Sequence, residues 1–150
     1  MEIKYQAIAH IDGACTPVNP NGHMGIGVAV NVTNKTGYKF TDAIKFGERG
    51  YKETSNNIAE YLACKHALEY MIENNLKTAL IHSDSKLVVE QMSGRWSIKA
   101  GMYKELALSC KKLLEHFTFI RFQWIPREEN QEADDLSKQK LLELGITVKY

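Results

Sequence analysis

The sequence predicts an α/β fold: one five-stranded mixed sheet, a three-strand antiparallel meander followed by parallel strands, flanked by helices. Three patterns predict it. Ile3, Tyr5, Ala7, Ala9 and Ile11 recur at period two over residues 3–12, as on one face of a strand. Short turn-forming stretches then separate two further β-rich runs, a spacing that joins antiparallel neighbours. From residue 54 onward, apolar runs of strand length alternate with segments of helical periodicity, which implies crossovers and parallel strands.

Taken in order, the first strand is expected to end at Asp12, where Gly13 lets the backbone turn, before the turn formers Pro17-Val18-Asn19-Pro20-Asn21-Gly22. Ile26 to Val32 reads as the second strand. Asn34-Lys35-Thr36-Gly37 reads as a hairpin turn and Tyr38 to Phe46 as the third strand. Thr54 and Ser55 are N-cap candidates for a helix from about Asn57 to Asn74, whose Ile58, Tyr61, Leu62, Leu68 and Ile72 recur at helical spacing. Thr78 to Ser83 is a short apolar strand. Ser85 opens a helix through Met92, and Gly94 ends it. Met102, Leu106, Leu113 and Leu114 mark another helix ending near His116. Phe117 to Ile125 is β-rich, Pro126 stops it, and residues 130–144 read as a last helix ending at Gly145.

The bulk numbers exclude more than they assign. A chain of 150 residues, 44% hydrophobic and 25% charged, has the size and make-up of one globular domain, 1–150. Nineteen Lys and Arg against eighteen Asp and Glu leave a net charge of +1, so any affinity for nucleic acid must come from local patches. Cys15, Cys64 and Cys110 are an odd, widely spaced set without a CxxC pair. They read as reduced thiols with no disulfide partner, and no zinc-type spacing accompanies them. No segment has the length and apolarity of a signal sequence or a membrane span, so a cytoplasmic protein without a membrane partner is expected.

Four carboxylates carry the chemistry: Asp12, Glu60, Asp84 and Asp134. Singly, each has a plain reading as a turn residue, a cap or a helix-start acid. Together they lie at strand ends and helix starts beside apolar sequence, where an unpaired carboxylate is costly to desolvate. Two parallel central strands would bring Asp12 and Asp84 side by side. Glu60 falls three residues into its helix beyond Asn57, and Asp134 shares a helix face with Asn130, four residues earlier. Four converging carboxylates repel unless cations compensate. Oxygen donors without Cys or His suit hard Mg²⁺ or Mn²⁺, two of which can drive an in-line phosphodiester displacement.

These motifs resemble the type 1 ribonucleases H. The resemblance rests on Asp12-Gly13, on Ser55-Asn56-Asn57-x-Ala59-Glu60, and on Ser83-Asp84-Ser85-x-Leu87-Val88-x-x-Gln91 followed by Gly94-x-Trp96. Pro126-Arg127-Glu128-Glu129-Asn130-x-x-Ala133-Asp134-x-Leu136 completes it. It spans nearly the whole chain, in order. It implies a ribonuclease H-like fold and endonucleolytic hydrolysis of the RNA strand of RNA–DNA hybrids, with Asp12, Glu60, Asp84 and Asp134 as catalytic ligands of two Mg²⁺ (or Mn²⁺) ions. Gly13, Cys15, Ser55, Asn56, Asn57, Arg127 and Asn130 would meet the hybrid, with the backbone around Cys15 and Asn57 near the 2′-hydroxyl that marks RNA. A monomer is expected. The alternatives are another metal-dependent nuclease of the same fold or a non-catalytic hybrid-binding module.

The chain departs from the family pattern in two places. Many members carry a loop His before the last Asp. Here the stretch is Pro126-Arg127-Glu128-Glu129-Asn130, and Arg127 is the candidate for a phosphate-facing role. Many bacterial members also insert a Lys-rich protrusion, for which residues 94–104 are too short; Trp96 in that stretch reads as core packing. With only Arg95, Lys99 and Lys104 there, hybrid binding is expected to be weak and steeply salt-dependent. Affinity measured at about 50 and 200 mM salt should fall roughly tenfold or more. A nearly flat profile would contradict this.

Overall fold

A computed structural model describes residues 4–149; Ile3, expected on the inner face of the first strand, lies outside the described residues. The elements run β1 (Ala7–Thr16), β2 (His23–Val32), β3 (Tyr38–Ile44), α1 (Asn56–Glu73), β4 (Thr78–Ser83), α2 (Lys86–Met92), α3 (Lys104–Leu113), β5 (Phe119–Trp124) and α4 (Gln131–Glu143). Their order in the sheet is β3-β2-β1-β4-β5. The β1–β2 and β2–β3 pairs are antiparallel, whereas β1–β4 and β4–β5 are parallel. This is the mixed sheet that the pattern of meander and crossovers predicts.

Helix starts follow the capping chemistry of the sequence. The Ser55 hydroxyl accepts a hydrogen bond from the Ile58 amide at 3.1 Å, and Ser85 does the same for Val88 at 3.3 Å. Helix α1 begins at Asn56, one residue before the expected start, so Glu60 is its fifth residue and stands just beyond the first turn. It packs on β1 and β2 and buries Ile58, Tyr61, Leu68 and Met71 against Ala7, Ala9 and Ile11. Small alanines along β1 let the helix settle close to the strand.

Two boundaries differ from expectation for one reason. Strand β1 runs on to Thr16 instead of stopping at Asp12, and β2 begins at His23 instead of Ile26, so ten residue pairs join the two strands. Gly25 and Gly27, which dilute the strand signal in sequence, are part of β2 because α4 rides on them. A Cβ on Gly25 would collide with the Ser137 carbonyl, and one on Gly27 with the Ala133 carbonyl. Asp12 pairs with Gly27 and Gly13 with Ile26, and side chains alternate between faces. Helix α4 therefore covers the face that carries Asp12, and α1 the face of Gly13. His23, instead of lying in a solvent turn, accepts a hydrogen bond from the Phe46 amide through Nδ1 at 3.0 Å.

Trp96 also departs from expectation: it is 48% exposed. Gly94 takes a left-handed φ of 80° and turns the chain outward after α2. The interior position nearby belongs to Gln91, which accepts from the Tyr61 hydroxyl at 2.6 Å and donates to the Ser97 carbonyl at 3.1 Å. Cys64 and Cys110 are buried, and the Cys110 thiol lies 3.7 Å from the Tyr61 carbonyl. Among the described residues no helix is long and apolar enough to cross a membrane.

Gly27→Ala tests the seat of α4. The added methyl meets backbone on a helix that cannot swing aside, so the variant should lose about 1–3 kcal/mol of stability in urea unfolding.

Candidate active site

The central parallel pair sets the site. Ile11 of β1 lies in register with Ser83 of β4, so Asp12 and Asp84 stand at the same level one residue further on. Asp12 is within β1 rather than at its end. Gly13 is there for close approach rather than for a turn: a Cβ on it would strike the Ala59 carbonyl carbon and the Glu60 amide nitrogen. That contact seats α1 directly on β1 and brings Glu60 beside Asp12. One carboxylate oxygen from each of Asp12, Glu60 and Asp84 lies within 4.8 Å of the others.

Asp134 reaches the site from α4, and Asn130 holds that helix in place. Asn130 is 1% exposed, its Nδ2 donates to the Ile11 carbonyl at 2.9 Å, and its carbonyl accepts the Asp134 amide at 3.0 Å. The α4 start is thereby tied to the strand residue before Asp12. Asp134 stands apart from the other three acids in its partners. Its Oδ2 accepts from the Lys138 ammonium at 2.9 Å, and its Oδ1 lies 3.7 Å from the Arg127 guanidinium.

These differences divide the acids electrostatically. Burial, reinforced by Asp84 and by a hydrogen bond shared with Asp134, pushes Asp12 up to about 8. Glu60 is pushed well above its ordinary value by burial, then by Asp12 and Asp84. Asp84 is raised by burial against the pull of Arg127. Asp134 goes the other way: burial alone would raise it, but Lys138 and Asp12 donate to it and leave it below the ordinary carboxylate value. Glu60 Oε2 is buried without a hydrogen-bond partner. An orphaned carboxylate oxygen among three gathered carboxylates, with no sulfur or imidazole in the group, is a donor set that fits a hard divalent cation.

The four acids open into one cleft of roughly 420 Å³. Gly13, Cys15, Asn56 and Arg127, all marked by sequence, line it. Asn57 is exposed on the first turn of α1 beside the cleft lining, Ser55 is spent on capping the helix, and Asn130 is withdrawn into the interior as a strut. Ala14, Trp124, Lys138, Val148 and Lys149 also line the cleft and are not singled out by the sequence; Trp124 and Lys138 touch the acids' own residues. Trp124 closes one wall, with Nε1 donating to the Asp84 carbonyl at 3.1 Å and Lys86 5.2 Å from its ring. Nothing local distinguishes it from an ordinary strand aromatic. Lys138 did leave a signal: it follows Asp134 by four residues, the spacing of a helical ion pair.

Sheet order, helix placement and an acid-lined cleft at the central strands define the ribonuclease H-like class of α/β proteins. The chain belongs to the reverse transcriptase-like family, whose profile matches residues 12–140, and within it to the type 1 ribonucleases H. It is 37% identical over 87 residues to the bifunctional protein Rv2228c of Mycobacterium tuberculosis, a match covering 58% of this chain and 24% of that protein. The match thus spans about a quarter of the length of that curated relative. Its structure is similar to the N-terminal RNase H domain of Rv2228c, solved as a fusion with maltose binding protein. There the TM-score is 0.78 at 32% identity, covering 89% of this chain and 97% of that one. It is also similar to LC11-RNase H1 in complex with an RNA/DNA hybrid, with a TM-score of 0.77 at 30% identity over 92% and 98% of the two chains.

The raised Asp12 group gives a pH test. In the unfolded chain this carboxyl loses its proton near pH 4, whereas in the metal-free fold it keeps it until about pH 8. Between those values the folded state binds the extra proton, so the contribution of Asp12 to stability falls as pH rises. Metal-free protein unfolded by urea should therefore lose stability from about pH 5 to pH 8, and Asp12→Asn should flatten that slope. Equal slopes in the two proteins would refute the assignment.

Proposed function

We propose that the protein is a metal-dependent endoribonuclease that hydrolyses the RNA strand of RNA–DNA hybrids. The observation that carries this reading is the convergence of Asp12, Glu60 and Asp84 within 4.8 Å in the cleft of a ribonuclease H family member. A similar protein, LC11-RNase H1, has been captured with an RNA/DNA hybrid, which supports the same substrate class here.

Asp12, Glu60, Asp84 and Asp134 would hold two Mg²⁺ or Mn²⁺ ions, whose chemistry is to ionise a water and to neutralise the departing oxygen of a phosphodiester. The chain itself supplies position. Burial of the acids excludes bulk water and strengthens their hold on cations, and the β1–β4 register fixes the spacing of Asp12 and Asp84. Arg127 is more than half exposed at the cleft rim, where a guanidinium can take a backbone phosphate in a forked pair. Gly13, Cys15 and Asn56 line the same cleft and would meet the ribose side of the strand being cut, where a 2′-hydroxyl marks RNA. Asn57, exposed next to Asn56, would extend that contact.

Cleavage of a labelled hybrid, beside single-stranded RNA, duplex RNA and duplex DNA, tests the proposal. Cutting of only the RNA strand of the hybrid, present with Mg²⁺ or Mn²⁺ and absent with EDTA, is the expected result. Asp84→Asn should lower the rate on the order of a thousandfold or more while leaving the fold intact, about 4 kcal/mol of lost transition-state stabilisation. Cutting of DNA would reassign the protein to another nuclease activity. Hybrid binding without any cutting would make it a binding module.

A further inference from the structure

The four acids of the cleft are unequal partners for a cation. Asp12, Glu60 and Asp84 present oxygens to one another within 4.8 Å, and one oxygen of Glu60 has no partner. Asp134 already has cations on both of its oxygens. Lys138 lies one turn further along α4, is only 9% exposed, and places its ammonium 2.9 Å from Oδ2, inside the cleft lining. Arg127 stands 3.7 Å from Oδ1. A buried ammonium on a carboxylate makes a strong, charge-assisted contact because water cannot compete for either group.

We infer that Lys138 is a built-in competitor for the second cation: it holds Asp134 in the metal-free protein and must release that carboxylate before Asp134 can ligate. This rests on the two-cation reading above. Occupation is then sequential. The three-acid position fills first, and the position that needs Asp134 is weakened by its ion pair with Lys138. Lys138 has the reach to yield, since a lysine stem carries several rotatable bonds and its head can swing along the cleft toward solvent. The arrangement also spares the metal-free fold a further unbalanced buried acid beside Asp12 and Glu60.

The test is Mn²⁺ binding to the free protein, followed by calorimetry and by the electron paramagnetic resonance of unbound Mn²⁺, without substrate. Wild type should bind one ion at low concentration and a second only weakly. Lys138→Met should tighten the weaker site by roughly tenfold, the worth of one charge-assisted contact, and change the tighter site less. Lys138→Arg keeps the charge and should behave as wild type. Lys140→Met removes an exposed cation from the same helix, 3.5 Å from Glu143, and should leave both sites unchanged. If Lys138→Met is too unstable to titrate, Lys138→Gln serves instead and should tighten the weaker site in the same sense.

A Lys138→Met or Lys138→Gln protein that binds no more Mn²⁺ than wild type at any concentration would falsify the inference. Equal tightening by Lys138→Met and Lys140→Met would also overturn it, by showing an effect of net charge alone. Failure of the wild-type protein and every variant to bind any Mn²⁺ would instead bring down the two-cation reading on which the inference rests.

Discussion

Like charge kept out of water is the constraint on which the rest of this structure depends. Three carboxylates gathered within 4.8 Å, two of them buried, repel one another and have lost solvation. No flexible loop could hold them there. They are held by backbone: a parallel strand register for Asp12 and Asp84, and a helix pressed onto Gly13 for Glu60. The glycines of β2 serve the same end on the opposite face, where α4 must lie close enough for Asp134 to reach the cleft. Protons meet part of the cost in the metal-free state, which is why Asp12 and Glu60 hold theirs so far above the usual range.

The two faces of the sheet contribute to the cleft in different ways. The α1 face brings an acid with an unsatisfied oxygen, and the α4 face brings one whose charge is already matched by its own helix. The acids and their order along the chain are among the motifs on which the resemblance to the family rests. The inequality among them comes from the local packing of this chain, in which the Lys138 ammonium and the Arg127 guanidinium both lie within ion-pair distance of Asp134.

Much of this was legible in the sequence, because it is written in patterns that depend on neighbours. The alternation in β1, the hairpin turn before Tyr38, and the caps at Ser55 and Ser85 each carry local chemistry, and each stands where expected. The acids were legible as a set because each sits beside a strong element signal. What failed was whatever depends on contacts distant in sequence. Gly13 was read as a turn because glycine permits one, whereas the structure uses its missing Cβ to admit a helix from residue 56 onward. Gly25 and Gly27 hid the start of β2 for the same reason. Apolar character alone places Trp96 in the core, and no local pattern shows that it is the polar Gln91 that is buried in this stretch, bonded to the Tyr61 hydroxyl. For Asn130, expected among the hybrid contacts, no local pattern shows that its amide donates to a strand carbonyl 119 residues earlier.

That distance has a consequence for the life of the chain before it is folded. The pairing of β1 with β4 joins segments some seventy residues apart, and the Asn130 strut spans most of the molecule. Closing such loops is entropically late compared with forming the meander or α1, whose contacts are local. A nascent or half-folded chain therefore carries four scattered, ordinarily solvated acids and no cleft. The gathering of the acids arrives together with the last long-range contacts, so the assembled cluster reports that the sheet has closed.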